Sequence, residues 1–457
     1  MDPRFLPHNS HRNDARRFVE TDPQLRHLAD CRHQHRSSLL DCLPNSAPGI
    51  YSLSGGRQTG KSTLLKQWMA ELLDGGAPPE SIAYFSGELI DDHHSLLLHV
   101  EQQLATAPDT GLNYLIVDEV NYIRDWDKAV KYAADAGLLE RTVLMVTVSD
   151  LGFVLDAAMR FPGRRGAADV AEFHLHPLSF REYLTLEGGM ERLQGHLDDP
   201  PSISDDSMES VFAAFSRYLI HGGYLTGIND LAAHGTIRTS TLATYSDWIR
   251  GDFIKRGRQE PYLREVLAAI VKRYATQVTW NALAQDLSID HPKTVADYVA
   301  LLERMDAVHV LPALLEDKLA AAPKKAKKLV FSDPFILHAV RAWLTPEANP
   351  FERQIRAALG DPAWESKIVE ACVASHFHRF HPTYYIKAQA EVDVAYVRDG
   401  RFWPVEVKWT NPLHPKALKQ IARYGNGEIW SKSRQPGAIN GVPVMPLPIQ
   451  LLRLAAN

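Results

Sequence analysis

Cysteine is scarce in this chain: three residues in 457, Cys31, Cys42 and Cys372, with no CxxC pair among them. That argues against a disulfide framework and a structural zinc site, and for a reducing compartment. No apolar run approaches the roughly 20 residues that a membrane crossing needs. The opening stretch, MDPRFLPHNSHRNDARR, lacks the apolar segment of a secretory signal. A cytoplasmic protein with no membrane partner is expected. Nor is there an excess of positive charge, since the formal net charge is −5. Internal repeats and a guanine-reading NKxD motif are also missing. Charge is unevenly placed, however. Residues 401–457 carry eight Lys and Arg against two Glu, and residues 316–328 hold Lys318, Lys324, Lys325, Lys327 and Lys328. Local basic patches govern phosphate contact more than total charge does; a solvated lysine-rich loop is the plainer reading.

What is present begins at residue 49. A short apolar strand, GIYSLS, runs into Gly55-Gly56-Arg57-Gln58-Thr59-Gly60-Lys61-Ser62, which satisfies GxxxxGK[ST], and a long helical segment follows. The glycines let the backbone curl so that its N–H groups face phosphates, and the helix N-terminus adds a favourable dipole. ATP is the expected ligand, with contacts from Gly55 through Thr63. Lys61 should reach the β- and γ-phosphates, and Ser62 should ligate Mg2+. Asp118 ends the apolar strand NYLIVDEV and suits a second Mg2+ contact, direct or through water. Its neighbour Glu119 can orient or deprotonate the attacking water, as in ATPases with an extra strand between the P-loop strand and the aspartate strand. The bland alternative is a solvated acidic pair at a strand end. Thr147 and Ser149 end the next strand, and Ser149 is the expected γ-phosphate sensor. Arg160, Arg164 and Arg165 follow. Arg164 is the expected arginine finger, supplied to a neighbouring subunit, against the reading of a plain basic loop.

Residues 391–408 read EVDVAYVRDGRFWPVEVK. Two runs rich in β-branched and aromatic residues flank Asp399-Gly400, a dipeptide suited to a two-residue type I′ turn. With that turn Arg398 pairs with Arg401, Asp393 lies across from Glu406, and Glu391 lies across from Lys408. Side chains alternate along a strand, so all four project from one face. Like charges directly opposite destabilise a hairpin. A divalent cation with oxygen ligands is a good reason for a carboxylate pair there.

This hairpin resembles the core of the PD-(D/E)xK nuclease superfamily. The resemblance implies that Asp393 and Glu406 hold Mg2+, with Mn2+ as the alternative ion. It also implies that Lys408 stabilises the pentavalent phosphate or positions water, and that an acid on a preceding helix completes the metal shell. Residues 364–377, WESKIVEACVASHF, read as that helix, with Glu365 as first candidate and Glu370 second. Gln420 and Tyr424 match the Gln-x-x-x-Tyr spacing of some exonuclease-type members, which puts them on one helical face. A surface charge ladder is one alternative, and a nuclease fold that does not cut is another.

Between these motifs, strands at 81–89, 113–120, 142–150 and 171–180 alternate with helical segments, the signature of an α/β fold with a parallel sheet. Residues 1–48 read as an N-terminal arm with one or two short helices, and 49–185 as the P-loop core. An acidic, exposed linker or insertion and a helical lid are expected over 186–257. Residues 278–315 read as helix, turn, helix, strand, placing a winged helix at 258–330 with Lys293 and Thr294 on its second helix. The nuclease-like domain occupies 331–457.

Taken together, SGGRQTGKSTLL (54–65), LIVDEVNYIRDW (115–126), VTVSD (146–150), GRRG (163–166), HLHPLSFREYL (174–184), YLIHGGYL (218–225), FSDPFILHAV (331–340), WESKIVEACV (364–373) and the EVD…EVK hairpin resemble a prokaryotic family of AAA-type P-loop ATPases. The C-terminal half of that family is a domain of unknown function with a PD-(D/E)xK-like core. The sensor strand departs from the family, with Thr-Val-Ser in place of Thr-Gly-Ser. The resemblance implies an ATP-hydrolysing protein that binds branched or duplex DNA as a homo-oligomer, with a hexameric ring as first expectation. Remodelling or translocation in repair or recombination is the leading function. A nucleotide-controlled interaction switch and a conditionally activated defence nuclease are the alternatives.

Overall fold

Among the described residues, four largely apolar strands and a short fifth form the first sheet: β1 (Gly49–Ser54), β2 (Ile82–Ser86), β3 (Asn113–Asp118), β4 (Thr142–Val148) and β5 (Glu172–His174). The computed structural model describes residues 1–150, 170–289, 291–410 and 418–454. All pairings in this sheet are parallel, in the order β2-β3-β4-β1-β5. Every residue of β1, β3 and β4 is buried, as a sheet covered on both faces requires. The sheet belongs to the first of two compact units, Met1–His176, and matches the expected parallel α/β arrangement. β4 lies between β1 and β3, so the ends of all three carry the site.

The N-terminal 48 residues are more than an arm. Short 3-10 turns and two helices, α1 (Phe18–Thr21) and α2 (Pro23–Ala29), press apolar side chains into both sides of the sheet. Phe5 enters one core with Phe85, Leu115 and Val146. Phe18, Leu25, Leu40 and Leu43 enter the other, with Leu64, Leu65 and Trp68 of α3 (Lys61–Asp74). On the first side lie α4 (His93–Leu104) and α5 (Trp126–Asp135), which supply Leu96, Val100, Trp126 and Val130.

The second unit, Pro177–Asn457, opens with α6 (Phe180–Leu186), started by a capping box of Ser179 and Glu182. The acidic stretch after it is not a free linker: Leu193, Ile203 and Met208 are all buried in the main core. Its acids stay outside while one apolar residue per turn or bend is drawn in. α7 (Asp205–His221), α8 (Leu225–His234) and α9 (Thr239–Lys255) follow. Next come α10 (Glu260–Lys272), β6 (Gln277–Val278), α11 (Trp280–Ala284), α12 (Pro292–Arg304) and β7 (Val308–Pro312). A small ribbon of β8 (Leu314–Leu315) and β9 (Ala320–Ala321) leads to β10 (Lys327–Phe331). Strands β6, β10 and β7 make an antiparallel sheet in that order.

Asp333 then caps α13 (Pro334–Leu344), accepting the Phe335 N–H at 2.7 Å and the Gly223 N–H at 2.8 Å. A Cβ on Gly222 would sit 1.6 Å from the Asp333 carboxylate, and one on Gly223 would sit 2.1 Å from the Leu178 carbonyl oxygen, so both glycines of YLIHGGYL are required.

After α14 (Ala357–Gly360), helix α15 (Pro362–His378) packs on the last sheet, with Phe377 stacked 4.4 Å from Tyr396. That sheet contains β11 (Thr383–Lys387), β12 (Glu391–Arg398), β13 (Arg401–Lys408), β14 (Glu428–Ser431), β15 (Gly437–Ile439) and β16 (Val442–Pro446), in the order β11-β12-β13-β14-β16-β15. β11, β12 and β13 pair antiparallel; β13, β14 and β16 run parallel. Helix α16 (Leu447–Leu454) ends the described chain. Among the described residues no helix is long and apolar enough to cross a membrane.

Candidate active site

β1 delivers the chain into a loop whose shape its residue types dictate. Gly55 has φ 149°, Gln58 60° and Gly60 98°, before α3 begins at Lys61. A Cβ on Gly55 would lie 2.4 Å from the Leu175 carbonyl oxygen, so only glycine fits there. Thr59 donates to the Gly56 carbonyl at 2.8 Å and tightens the turn. The buried Lys61 ammonium donates to the carbonyls of Gly55 and Gly56, at 2.9 and 3.0 Å, and to Ser149 Oγ at 3.0 Å. Arg57 donates to the Tyr122 hydroxyl at 2.8 Å.

Asp118 ends β3, buried, with three hydroxyls on its carboxylate. Ser62 donates to Oδ2 at 2.6 Å, Tyr84 donates to the same oxygen, and Thr147 donates to Oδ1. Burial beside the Asp118 charge pushes the Tyr84 phenol well above its ordinary value, so it acts as a donor. Glu119 takes left-handed backbone, φ 57°, and its N–H donates to Thr147 Oγ1 at 2.7 Å. Thr147 therefore ties both acidic residues to β4. The Glu119 carboxylate accepts from Ser149 at 2.6 Å and lies 4.0 Å from the Lys61 ammonium. Gly87 leaves room for this turn: a Cβ there would come within 2.5 Å of the Glu119 carbonyl oxygen. Ser149, expected as sensor, thus touches both Lys61 and Glu119. Thr147 and Tyr84 hold the aspartate, roles that the motif pattern did not assign. The hydroxyl of Ser62 and the carboxylate of Asp118 form a hard-oxygen pair of the kind Mg2+ takes. Arg164 lies outside the described residues.

The second constellation lies on the β12–β13 hairpin. Asp399 and Gly400 both have positive φ, 52° and 68°, and Arg398 pairs with Arg401, as the type I′ turn predicts. The ladder runs up to Val394 and Val405, which brings Asp393 and Glu406 to one face. Lys408 bridges them, 2.6 Å from Glu406 and 3.3 Å from Asp393. Asp393 also accepts the Val407 N–H at 2.8 Å. Burial, and then the Asp393 charge, push the Glu406 carboxyl up to about 8.

The helix acid of this cluster is Glu370, not Glu365. Glu365 pairs with Lys432 at 3.2 Å, whereas oxygens of Glu370, Glu391 and Asp393 lie within 4.8 Å of one another. Five residues along a helix turn it by about 140°, so only one of the two can face the hairpin.

A fourth member comes from β10. Lys328, fully buried, sets its ammonium 2.6 Å from Glu370 and 3.9 Å from Asp393, in contact with Glu391 as well. Gln277 donates to Glu391. Burial alone would lower the Lys328 ammonium, but the three carboxylates more than reverse this. The lysines counted together in the sequence therefore separate. Lys318, Lys324 and Lys325 are exposed, Lys327 stacks 4.3 Å over Trp280, and Lys328 belongs to the acidic cluster. Gln420 and Tyr424 touch at 3.3 Å, but across a 3-10 turn (Ile421–Arg423) rather than along an α-helix.

Residues 47–184 match the AAA domain family, and residues 213–347 match a family described only as a domain of unknown function. An uncharacterized protein of Haemophilus influenzae is 26% identical over 141 residues, 30% of this chain and 33% of that protein. The match thus spans about a third of that relative. Solved structures that resemble the chain include these three. A Walker-type ATPase of Pyrococcus abyssi has a TM-score of 0.42 and 14% identity, covering 64% of this chain and 91% of its own. The ORC1 protein of Aeropyrum pernix in complex with DNA has a TM-score of 0.32 and 14% identity, covering 76% and 94%. The RuvB Holliday junction branch migration motor of Thermotoga maritima has a TM-score of 0.29 and 17% identity, covering 58% and 82%. The AAA-domain match, with the P-loop and the Asp118–Glu119 pair in place on the sheet, makes residues 47–184 an AAA-type ATPase domain.

Proposed function

We propose that this chain is an ATP-driven DNA-processing protein, assembled from several copies, whose second unit holds DNA. The observation that carries the ATP half is the placement of Glu119. It is fixed by Ser149 and Thr147 beside a P-loop lysine and the Ser62–Asp118 pair. In this reading Lys61 leaves the loop carbonyls for the β- and γ-phosphates of ATP. Glu119 orients the attacking water and takes its proton, and Ser149 reports on the γ-phosphate to Lys61 and Glu119 together. Mg2+, held through Ser62 and Asp118, would supply charge neutralisation at the transferred phosphoryl group. An arginine from a neighbouring copy, with Arg164 as first choice, would complete the site, which is the reason to expect a ring; a hexamer is the first size to test.

For the DNA half, the order α10-β6-α11-α12-β7-β10 with a three-stranded antiparallel sheet supports a winged helix, with Lys293 exposed at the start of α12. The mixed sheet with α15 on it, and the Asp393, Glu406 and Lys408 group, support a PD-(D/E)xK-like domain. One observation favours holding over cutting. Asp393, one of the two carboxylates that would take a divalent cation, already lies 3.9 Å from the buried Lys328 ammonium, with Glu370 and Glu391 around it, and Glu406 is held by Lys408 at 2.6 Å. That donor set does not fit Mg2+ or Mn2+ while Lys328 lies within it. The reading is tested by ATP turnover and cleavage on single-stranded, duplex and four-way DNA, with Lys61→Ala and with the pair Asp393→Ala and Glu406→Ala. ATP turnover raised by duplex or four-way DNA, abolished by Lys61→Ala, supports it. An identical rate on every DNA and without DNA contradicts the DNA half. Cleavage that disappears in the double variant would replace holding with cutting.

A further inference from the structure

Tyr84 lies at the middle of β2, the edge strand of the first sheet, and the N-terminal segment grips it from several sides. The Asn9 side chain does for its backbone what a neighbouring strand would do. Asn9 Oδ1 accepts the Tyr84 N–H at 2.8 Å, and Asn9 Nδ2 donates to the Tyr84 carbonyl at 2.8 Å. The His8 ring stacks on the phenol ring with centroids 5.4 Å apart. The Lys66 ammonium lies 3.8 Å from the phenol ring centroid. Lys66 is fully buried, and is anchored by Asp22 at 3.2 Å and by the His8 carbonyl. At its far end the phenol donates to Asp118 Oδ2, the oxygen that also accepts from Ser62.

A buried lysine–aspartate pair carries a large desolvation cost that an apolar side chain of similar volume avoids. Here the pair joins two segments distant in sequence, and its ammonium meets the ring face of the side chain that reaches the Mg2+-binding pair. We propose that Tyr84 is a positioning residue for Mg2+–ATP and that the N-terminal segment is a working part of the nucleotide site. The segment fixes Tyr84, and Tyr84 fixes the Asp118 carboxylate against Ser62. This rests on the ATP reading above. Without the hydroxyl, Asp118 Oδ2 keeps one donor in place of two, and the carboxylate turns more freely about its own axis. Loss of such an outer hydrogen bond weakens metal affinity by about 10- to 100-fold.

The test is the binding of a fluorescent ADP analogue to the full chain, titrated with Mg2+, in wild type, Tyr84→Phe and Asp22→Asn. Tyr84→Phe keeps the ring beneath Lys66 and removes only the hydroxyl. Asp22→Asn keeps a capping side chain at the start of α2 and loosens the hold on Lys66. The expected result is unchanged nucleotide affinity without Mg2+, with the Mg2+ midpoint raised about tenfold in Tyr84→Phe and by a smaller factor in Asp22→Asn. An unchanged midpoint in Tyr84→Phe, with or without a lowered melting temperature, overturns the proposal. Wild type with no Mg2+-dependent nucleotide binding overturns the ATP reading and this inference with it.

Discussion

Replacing Lys328 with methionine keeps the stem of the side chain and deletes the charge at the centre of the acidic cluster. In the wild type the ammonium touches Glu370 at 2.6 Å and Glu391, and lies 3.9 Å from Asp393, with no exposure of its own. Removing one partner of a buried ion pair costs about 3–5 kcal/mol, because the other charge is left uncompensated. Here three carboxylates lose their shared counter-charge, but they can take up protons, so the cost depends on pH. Burial raises Glu370 from its ordinary 4.5 to about 7 even with Lys328 beside it. A carboxyl raised in the folded state holds more protons there than in the unfolded chain. Stability therefore falls as pH rises from the unfolded value through the folded one. Without Lys328 the rise is larger and the fall continues to higher pH. Lys328→Met should melt close to wild type near pH 5 and lose about 3 kcal/mol by pH 8. For a unit of this size that is roughly 6–12 °C. Thermal melts of both chains at pH 5, 6, 7 and 8, followed by circular dichroism, measure this. A penalty equal at all four pH values, or none at pH 8, would refute the assignment of Lys328 as the cation of the cluster.

Gly55→Ala forces a Cβ within 2.4 Å of the Leu175 carbonyl oxygen; the fold should survive while ATP binding weakens at least about tenfold, which a nucleotide titration reads. Gly222→Ala drives a Cβ to 1.6 Å from the Asp333 carboxylate, at a residue with φ 55°. It should cost about 3 kcal/mol or more through strain and the displaced cap, seen as a lower melting temperature of the whole chain. Glu365→Gln should leave DNA binding unchanged, because Glu365 faces Lys432 rather than the cluster; a gel-shift titration on duplex DNA checks this.

The parts of this molecule that were legible in its sequence are those where short-range backbone demands fix residue types. GxxxxGKS names a loop because positive φ and close approach leave glycine no substitute, and Asp399-Gly400 names a turn for the same reason. The Asp399-Gly400 turn carried the hairpin face with it, while the parallel sheet was legible in the alternation of apolar strands with helical segments. Glu365 is the first candidate by sequence, yet Glu370 is the one in the cluster, because both occupy the helix and the choice depends on which face packs on the hairpin. Lys328 was hidden more deeply. It sits in a run of five lysines, and only the path of β10 takes one of them into the protein while Lys318, Lys324 and Lys325 stay in water. The N-terminal segment lacked a sustained period because its contacts come from isolated side chains, Phe5, Asn9, Phe18 and Asp22, spread over short turns. The acidic stretch at 186–210 read as solvent because its charges outnumber the three apolar residues that anchor it.

The most direct test of the central claim is ATP turnover by the full chain in wild type and in Glu119→Gln. The substitution preserves size and the hydrogen bond from Ser149 while removing the base. With Glu119 as the base, hydrolysis falls by at least about a hundredfold in the variant, with ATP still bound. A variant that hydrolyses ATP at the wild-type rate would contradict that role.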